Sequence, residues 1–99
     1  MYQSAYATGV AADLKRLPRH ARSRILDQIA VQLKNEPARP TRNRKIVVGL
    51  IPPWDHRPPV WELRIGVYRA FYDIDELAST VVVRAIRHKP AHNRTEDIL

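Results

Sequence analysis

The chain contains no cysteine, so a disulfide framework and a cysteine-ligated zinc site are both excluded, and a reducing compartment suits it. Its apolar runs fall far below the length of a membrane span, and MYQSAYATGVAADLKRLP has no basic segment ahead of a long apolar stretch. A cytoplasmic, unprocessed protein with no membrane partner is therefore expected. Repeats and low-complexity tracts are missing, and 99 residues suffice for one core, so a single domain over 1–99 is expected. Acidic residues are scarce: ten against seventeen Lys and Arg, for a net charge of +7. Such a balance points to an anionic partner, either nucleic acid or an acidic protein. The excess sits in the first two thirds, with +3 over residues 1–36, +4 over 37–59 and none over 60–99. Within that neutral last third, Arg84, Arg87, Lys89 and Arg94 still form an acid-free run.

What the chain does have is patterned. YQSAY reads as a strand, and Thr8 is placed to cap a helix carrying Val10, Leu14 and Leu17 at helical spacing. Pro18 suits the first turn of a second helix, RHARSRILDQIAVQLKN, with Ile25, Leu26, Ile29, Ala30 and Leu33 as one stripe. These form an N-terminal α-helical hairpin that needs an apolar surface to cover. EPARPTRNRK reads as a solvated connection to the strand KIVVGL, and the four prolines of IPPWDHRPPV make a stiff loop. VWELRI, YRAFYDI and TVVVRAIR are rich in β-branched and aromatic residues and read as consecutive hairpins. The expected class is α+β, a helical hairpin packed on a twisted antiparallel sheet.

The stretch LRIGVYR fixes a register. A two-residue turn at Gly66-Val67 fits a type II′ hairpin, which sets Ile65 opposite Tyr68, Leu63 opposite Ala70 and Trp61 opposite Tyr72. That face is apolar and must meet the helices. Alternation then puts Glu62, Arg64, Arg69 and Phe71 on the other side, with Arg64 directly opposite Arg69. Like charges so placed cost up to about 1 kcal/mol, and either the two splay into water, or Arg64 leans on Glu62 along the same face, or they hold an anion between them. Two planar guanidinium groups on a rigid hairpin offer forked donors that suit phosphate.

DLKRLPRHARSRILDQIAVQL, then a proline linker, VWELRIGVYRAFYDID and VVVRAIRHKPAH resemble, in that order, the RelE/ParE superfamily of bacterial type II toxin–antitoxin toxins. The resemblance covers nearly the whole chain, and its specific core is LRxGxYRxxY. It implies the RelE-like toxin fold and an antitoxin partner. It also implies one of two activities: ribosome-dependent cleavage of mRNA through the ribose 2′-hydroxyl, with no metal or other cofactor, or poisoning of DNA gyrase. A homologue that has lost activity and acts as a binding module is a third reading. By resemblance Arg69 is catalytic and Arg64 is the basic residue before the turn, whereas Val60 and Glu62 stand where the best-known RelE pattern has two lysines. RHKPAH supplies His88, Lys89 and His92 where the family has a basic pair followed by tyrosine or histidine.

Cleavage of this kind needs a base, charge stabilisation at phosphorus and an acid for the leaving oxygen. Glu62 or a histidine is the candidate base, Arg64 and Arg69 the phosphate holders, and His88, His92 or Lys89 the acid. Arg39, Arg42, Arg44 and Lys45 are candidates for tracking an RNA backbone, joined by Arg84 and Arg87. Trp54 and Arg57 in the proline loop either stack on a base and clamp a phosphate or tuck the loop onto the domain. His88 and His92 are four apart, but Pro90 lies between them, so metal binding is not expected.

Overall fold

The computed structural model describes residues 1–99. In chain order the elements are β1 (Gln3–Tyr6), α1 (Val10–Lys15), α2 (Arg19–Gln32), β2 (Arg44–Ile46), β3 (Trp61–Ile65), β4 (Tyr68–Asp75), β5 (Thr80–His88) and α3 (Thr95–Ile98). One sheet results, in the order β1-β5-β4-β3-β2. The class is α+β as expected, but two details differ. The opening strand YQSAY forms as β1 ahead of the two helices, but it runs parallel to β5, so the sheet is mixed rather than antiparallel. The first helix is also only six residues long and starts from Gly9 without a side-chain cap, so Thr8 does not play that part. What holds α1 in place is Asp13, whose Oδ2 accepts from the Ile86 amide at 2.9 Å and from Arg87 Nη1 at 2.8 Å. Beyond Val83, β1 no longer pairs with β5, and this carboxylate serves the exposed strand edge instead.

Helix α2 buries Ala21, Ile25 and Ile29, with Leu33 continuing the row just past its end. The interval is four throughout, which makes a narrow ridge. Leu26 and Ala30 lie one position further round, about 100° away, and both are exposed rather than part of the stripe. The ridge meets Trp61, Leu63, Ile65, Ala70 and Tyr72 on the sheet, the face that period two assigned to the core. Tyr72 donates from its hydroxyl to the Pro37 carbonyl at 2.8 Å, and burial pushes its phenol well above the ordinary range.

The end of α2 is held by an unexpected residue. Arg44, a candidate RNA contact, is buried, and its Nη1 donates to the carbonyls of Gln32 (2.7 Å), Glu36 (3.1 Å) and Asn35 (3.4 Å). Helix C-termini leave carbonyls without partners and carry partial negative charge, so a guanidinium satisfies both needs.

The β3–β4 register is the expected one throughout, including Arg64 opposite Arg69. Gly66 has φ of +58° and Val67 is not left-handed, as a type II′ turn requires. An added Cβ at Gly66 would also sit 3.2 Å from Arg24 Nη1. Gly66→Ala should therefore cost about 1–2 kcal/mol in a urea melt, with an unchanged slope.

A bulge interrupts β5. Phe71 pairs with Ala85 and Tyr72 with Val83, leaving Arg84 as the extra residue. Val81 and Val83 face the helices, and after the bulge Ile86 does, while Ala85 faces away. Arg84 turns to Asp73, which is buried, with Nε and Nη2 2.9 and 3.2 Å from the two carboxylate oxygens. Asp73 also accepts from the Arg57 amide at 3.0 Å, pinning the proline loop. That loop covers the second sheet face with Trp54, whose ring lies 5.3 Å from Phe71, while Ile98 of α3 completes a small cluster with Val60 and Ala85.

Candidate functional site

The second face is left open at its hairpin end. There the segment before β2, the ends of β3 and β4, and the chain after β5 enclose a cavity of about 420 Å³ with no hydrophobic residue in its lining. Arg42 and Lys45 come from the β2 side, Arg64 and Arg69 from the hairpin, and Lys89 and Arg94 from the chain after β5. Six cations therefore surround one carboxylate, Glu62, with Asn43, Asn93 and Thr95 filling the remainder.

Glu62 is 2 % exposed and fully engaged. Thr95 Oγ1 donates into the carboxylate, at 3.0 and 3.1 Å from its two oxygens. Lys45 Nζ and Arg69 Nε each approach to 3.6 Å. Lys45 and Glu62 are direct cross-strand partners, so the β2–β3 register itself brings the ammonium to the carboxylate. A buried carboxylate requires such company, because unpaired it would be costly to desolvate.

Arg69 is locked from three directions. Its Nη1 donates to the carbonyls of Gly66 (2.9 Å) and Tyr68 (2.8 Å), while Nε faces Glu62. Burial lowers its pKa, the charge of Glu62 opposes that shift, and repulsion from Arg64 adds to it. An arginine is nonetheless cationic across the physiological range. Arg64, its cross-strand neighbour, is exposed and forms none of the chain's ion pairs. One guanidinium is fixed and the other free, an arrangement suited to closing around an anion.

The sequence-predicted residues divide accordingly. Arg64, Arg69, Glu62, Lys89, Arg42 and Lys45 converge on the cavity. His88 does not: the Arg84 bulge reverses the phase of β5, so His88 shares the helix-side face with Tyr68, and His92 is exposed outside the cavity. Arg39 pairs with Glu36 on the surface, at 3.0 Å. Arg57 lies 3.7 Å from Asp75 at the opposite end of β4, and Arg84 is held by Asp73. Arg87 reaches Asp13, with its guanidinium carbon 5.2 Å from the Trp54 ring centroid. Trp54 is tucked under the loop, with its buried indole N–H unpartnered. Asn43, Asn93, Arg94 and Thr95 were not among the sequence candidates. Only Arg94 carried a signal, as the last member of the acid-free basic run.

No helix is long and apolar enough to cross a membrane. A search of curated proteins gives no match. Solved structures do match. The RelBE2 toxin–antitoxin complex of Mycobacterium tuberculosis contains a chain 26% identical to this one, with a TM-score of 0.69, covering 89% of this chain and 91% of that one. The RelE–RelB complex of Pyrococcus horikoshii gives 19% identity and a TM-score of 0.66 over 94% and 98%. The isolated E. coli RelE toxin gives 15% and 0.66 over 98% and 90%. These likenesses establish the RelE fold, and the family profile described as the ParE toxin of type II toxin-antitoxin system, parDE, matches residues 5–90. With the profile spanning most of the chain and the overall fold shared with the RelE structures, the chain belongs to the RelE/ParE superfamily of type II toxin–antitoxin toxins.

Proposed function

We propose that the protein is a metal-independent endoribonuclease that cleaves mRNA on the ribosome, inhibits translation and is neutralised by a cognate antitoxin. The observation that carries this reading is the Arg64–Arg69 pair, set in a cavity whose lining is wholly polar. A scissile phosphate held there meets one fixed and one unpaired guanidinium, and charge developing on its oxygens during attack by the 2′-hydroxyl is stabilised by both. Glu62 is the cavity's single carboxylate, and with no histidine in the lining it is the one side chain there able to accept a proton while the arginines and lysines remain charged. Lys89, also in the lining, is the donor to the leaving 5′-oxygen. The solved RelE relatives include complexes with their antitoxins, which supports a proteinaceous partner for this chain.

A second reading, poisoning of DNA gyrase without nuclease activity, is favoured by the ParE description of the matching family profile. One induction experiment separates the two. On expression without antitoxin, the first reading expects growth arrest with new mRNA 5′ ends inside codons occupying the ribosomal A site. Trapped gyrase–DNA complexes with an unchanged pattern of mRNA ends would decide for the second. Absence of any growth defect from a folded protein would favour an inactive homologue.

A further inference from the structure

At the same end of the sheet, on the helix-side face, lies a second concavity of about 450 Å³ between the α1–α2 link and the ends of β4 and β5. Tyr68 and His88 are cross-strand partners within it, their rings 5.6 Å apart and inclined at 50°. Leu17, Pro18 and Ile86 form the apolar part of the wall, and Arg16 stands in the lining. Asp13 lies there too, but its carboxylate accepts from both the Ile86 amide and Arg87, which leaves little uncompensated negative charge. Arg16 forms none of the chain's ion pairs, and His88 is exposed. The groove thus presents an exposed imidazole and a half-buried phenol ring beside a free guanidinium.

Its relation to the arginine cavity follows from strand alternation. Tyr68 adjoins Arg69 and His88 adjoins Lys89, with the first of each pair in the groove and the second in the cavity. Two strand ends therefore feed both concavities, one on each side of a single sheet. Between them is the Gly66-Val67 tip, and Arg24 of α2 lies against it. Positive charge continues over the tip from one concavity to the other.

We propose that the groove is a base-stacking subsite for single-stranded RNA. A strand with one phosphate between Arg64 and Arg69 turns over the hairpin tip past Arg24 and lays a neighbouring base on the Tyr68–His88 surface, with Arg16 meeting the next phosphate. Flat rings beside free guanidinium groups are how proteins hold unpaired nucleotides, and such stacking tolerates any base because every base has a π face. The inference rests on the RNA reading of the arginine cavity and adds to it where the strand leaves that cavity.

The test is binding of a fluorescein-labelled oligoadenylate to the full chain, without ribosomes, at pH 7.5 and several salt concentrations. His88→Ala removes an exposed ring and should weaken binding about fivefold or more without changing the salt slope, because stacking releases no counterions. Tyr68→Leu should act in the same direction, with a thermal melt to verify folding. Arg64→Ala should weaken binding and flatten the slope by about 0.7, as loss of one phosphate contact to a single strand does. If the two ring variants bind like the parent while Arg64→Ala is weaker, the stacking subsite is wrong and the RNA reading stands. If the parent chain does not bind the oligonucleotide at any salt concentration, the subsite is overturned, while the ribosome-dependent reading is decided separately by the induction experiment. If His88→Ala instead loosens the antitoxin and leaves RNA affinity intact, the groove is a protein-docking surface and the proposal is overturned.

Discussion

Arg69→Ala will lower RNA cleavage by about 10²–10³-fold, the usual loss when one preorganised donor to a developing oxyanion is removed. The magnitude follows from how the side chain is held. Two backbone carbonyls and Glu62 fix the guanidinium before any substrate arrives, so little reorganisation is needed at the moment of reaction. Arg69→Lys should recover little of this, since an ammonium cannot reproduce the fork that bridges two carbonyls and still faces an anion. Loss of Arg69 also removes one of two cations from a buried carboxylate, which lowers stability as well as activity. The two effects separate in the double variant Glu62→Gln/Arg69→Ala, where the buried charge is removed with its partner. It should melt closer to the parent than Arg69→Ala does, yet stay as inactive. Arg64→Ala gives the cleaner comparison, because an exposed and unpaired arginine contributes within about 0.5 kcal/mol to stability. Its cleavage rate should still fall about 10–100-fold, the worth of one charge-assisted hydrogen bond. Full growth arrest by a folded Arg69→Ala protein would remove the arginine pair from the mechanism.

The hairpin could be read from the sequence because its information is local. A glycine able to take positive φ, two flanking residues and strict alternation determine which side chains oppose one another, and every β3–β4 pair agrees. The phase of β5 could not be read that way. VVVRAIRH alternates plausibly in either phase, and only the inserted Arg84, drawn to Asp73 eleven residues earlier, decides that Arg87 and not His88 shares the face of Arg69. The histidines were thus sensible candidates for an acid or base until that non-local ion pair placed His88 behind the sheet. Lys45 shows the converse. It looked like one more charge in a solvated link, yet the β2–β3 register puts its ammonium beside Glu62. The strand position that resemblance would fill with a lysine holds a carboxylate, and the lysine beside it comes from the neighbouring strand. Thr95 and Asn93 carried no signal at all, because their place in the cavity depends on how the chain returns after β5, with Ile98 seated on Val60, Phe71 and Ala85.

Arg44→Met will lower the melting temperature by roughly 10–20 °C while leaving the salt slope of RNA binding unchanged. A run of cations between prolines gives no hint that one member differs from the rest. Burial does. Arg44 retains 9 % exposure, and its Nη1 donates to three carbonyls around the end of α2, where no intrahelical donors are available. Methionine keeps much of the stem's volume but removes the donors, so the expected loss is the hydrogen bonding of a charged group, about 2–3 kcal/mol. At this chain length each kcal/mol moves the midpoint by about 4–8 °C, which brackets the range stated. Arg42→Met and Lys45→Met make the contrast. Arg42 is exposed at the cavity and should show almost no change in melting, with a salt slope flatter by about 0.7 if it contacts a phosphate. Lys45 is exposed too but neutralises Glu62, so its loss should register in both measurements. A flattened slope for Arg44→Met with unchanged melting would mean that the guanidinium leaves the helix end to meet nucleic acid. The α2 C-terminus would then have to find other donors for its carbonyls, and the β2 edge would belong to the binding surface rather than to the frame that supports it.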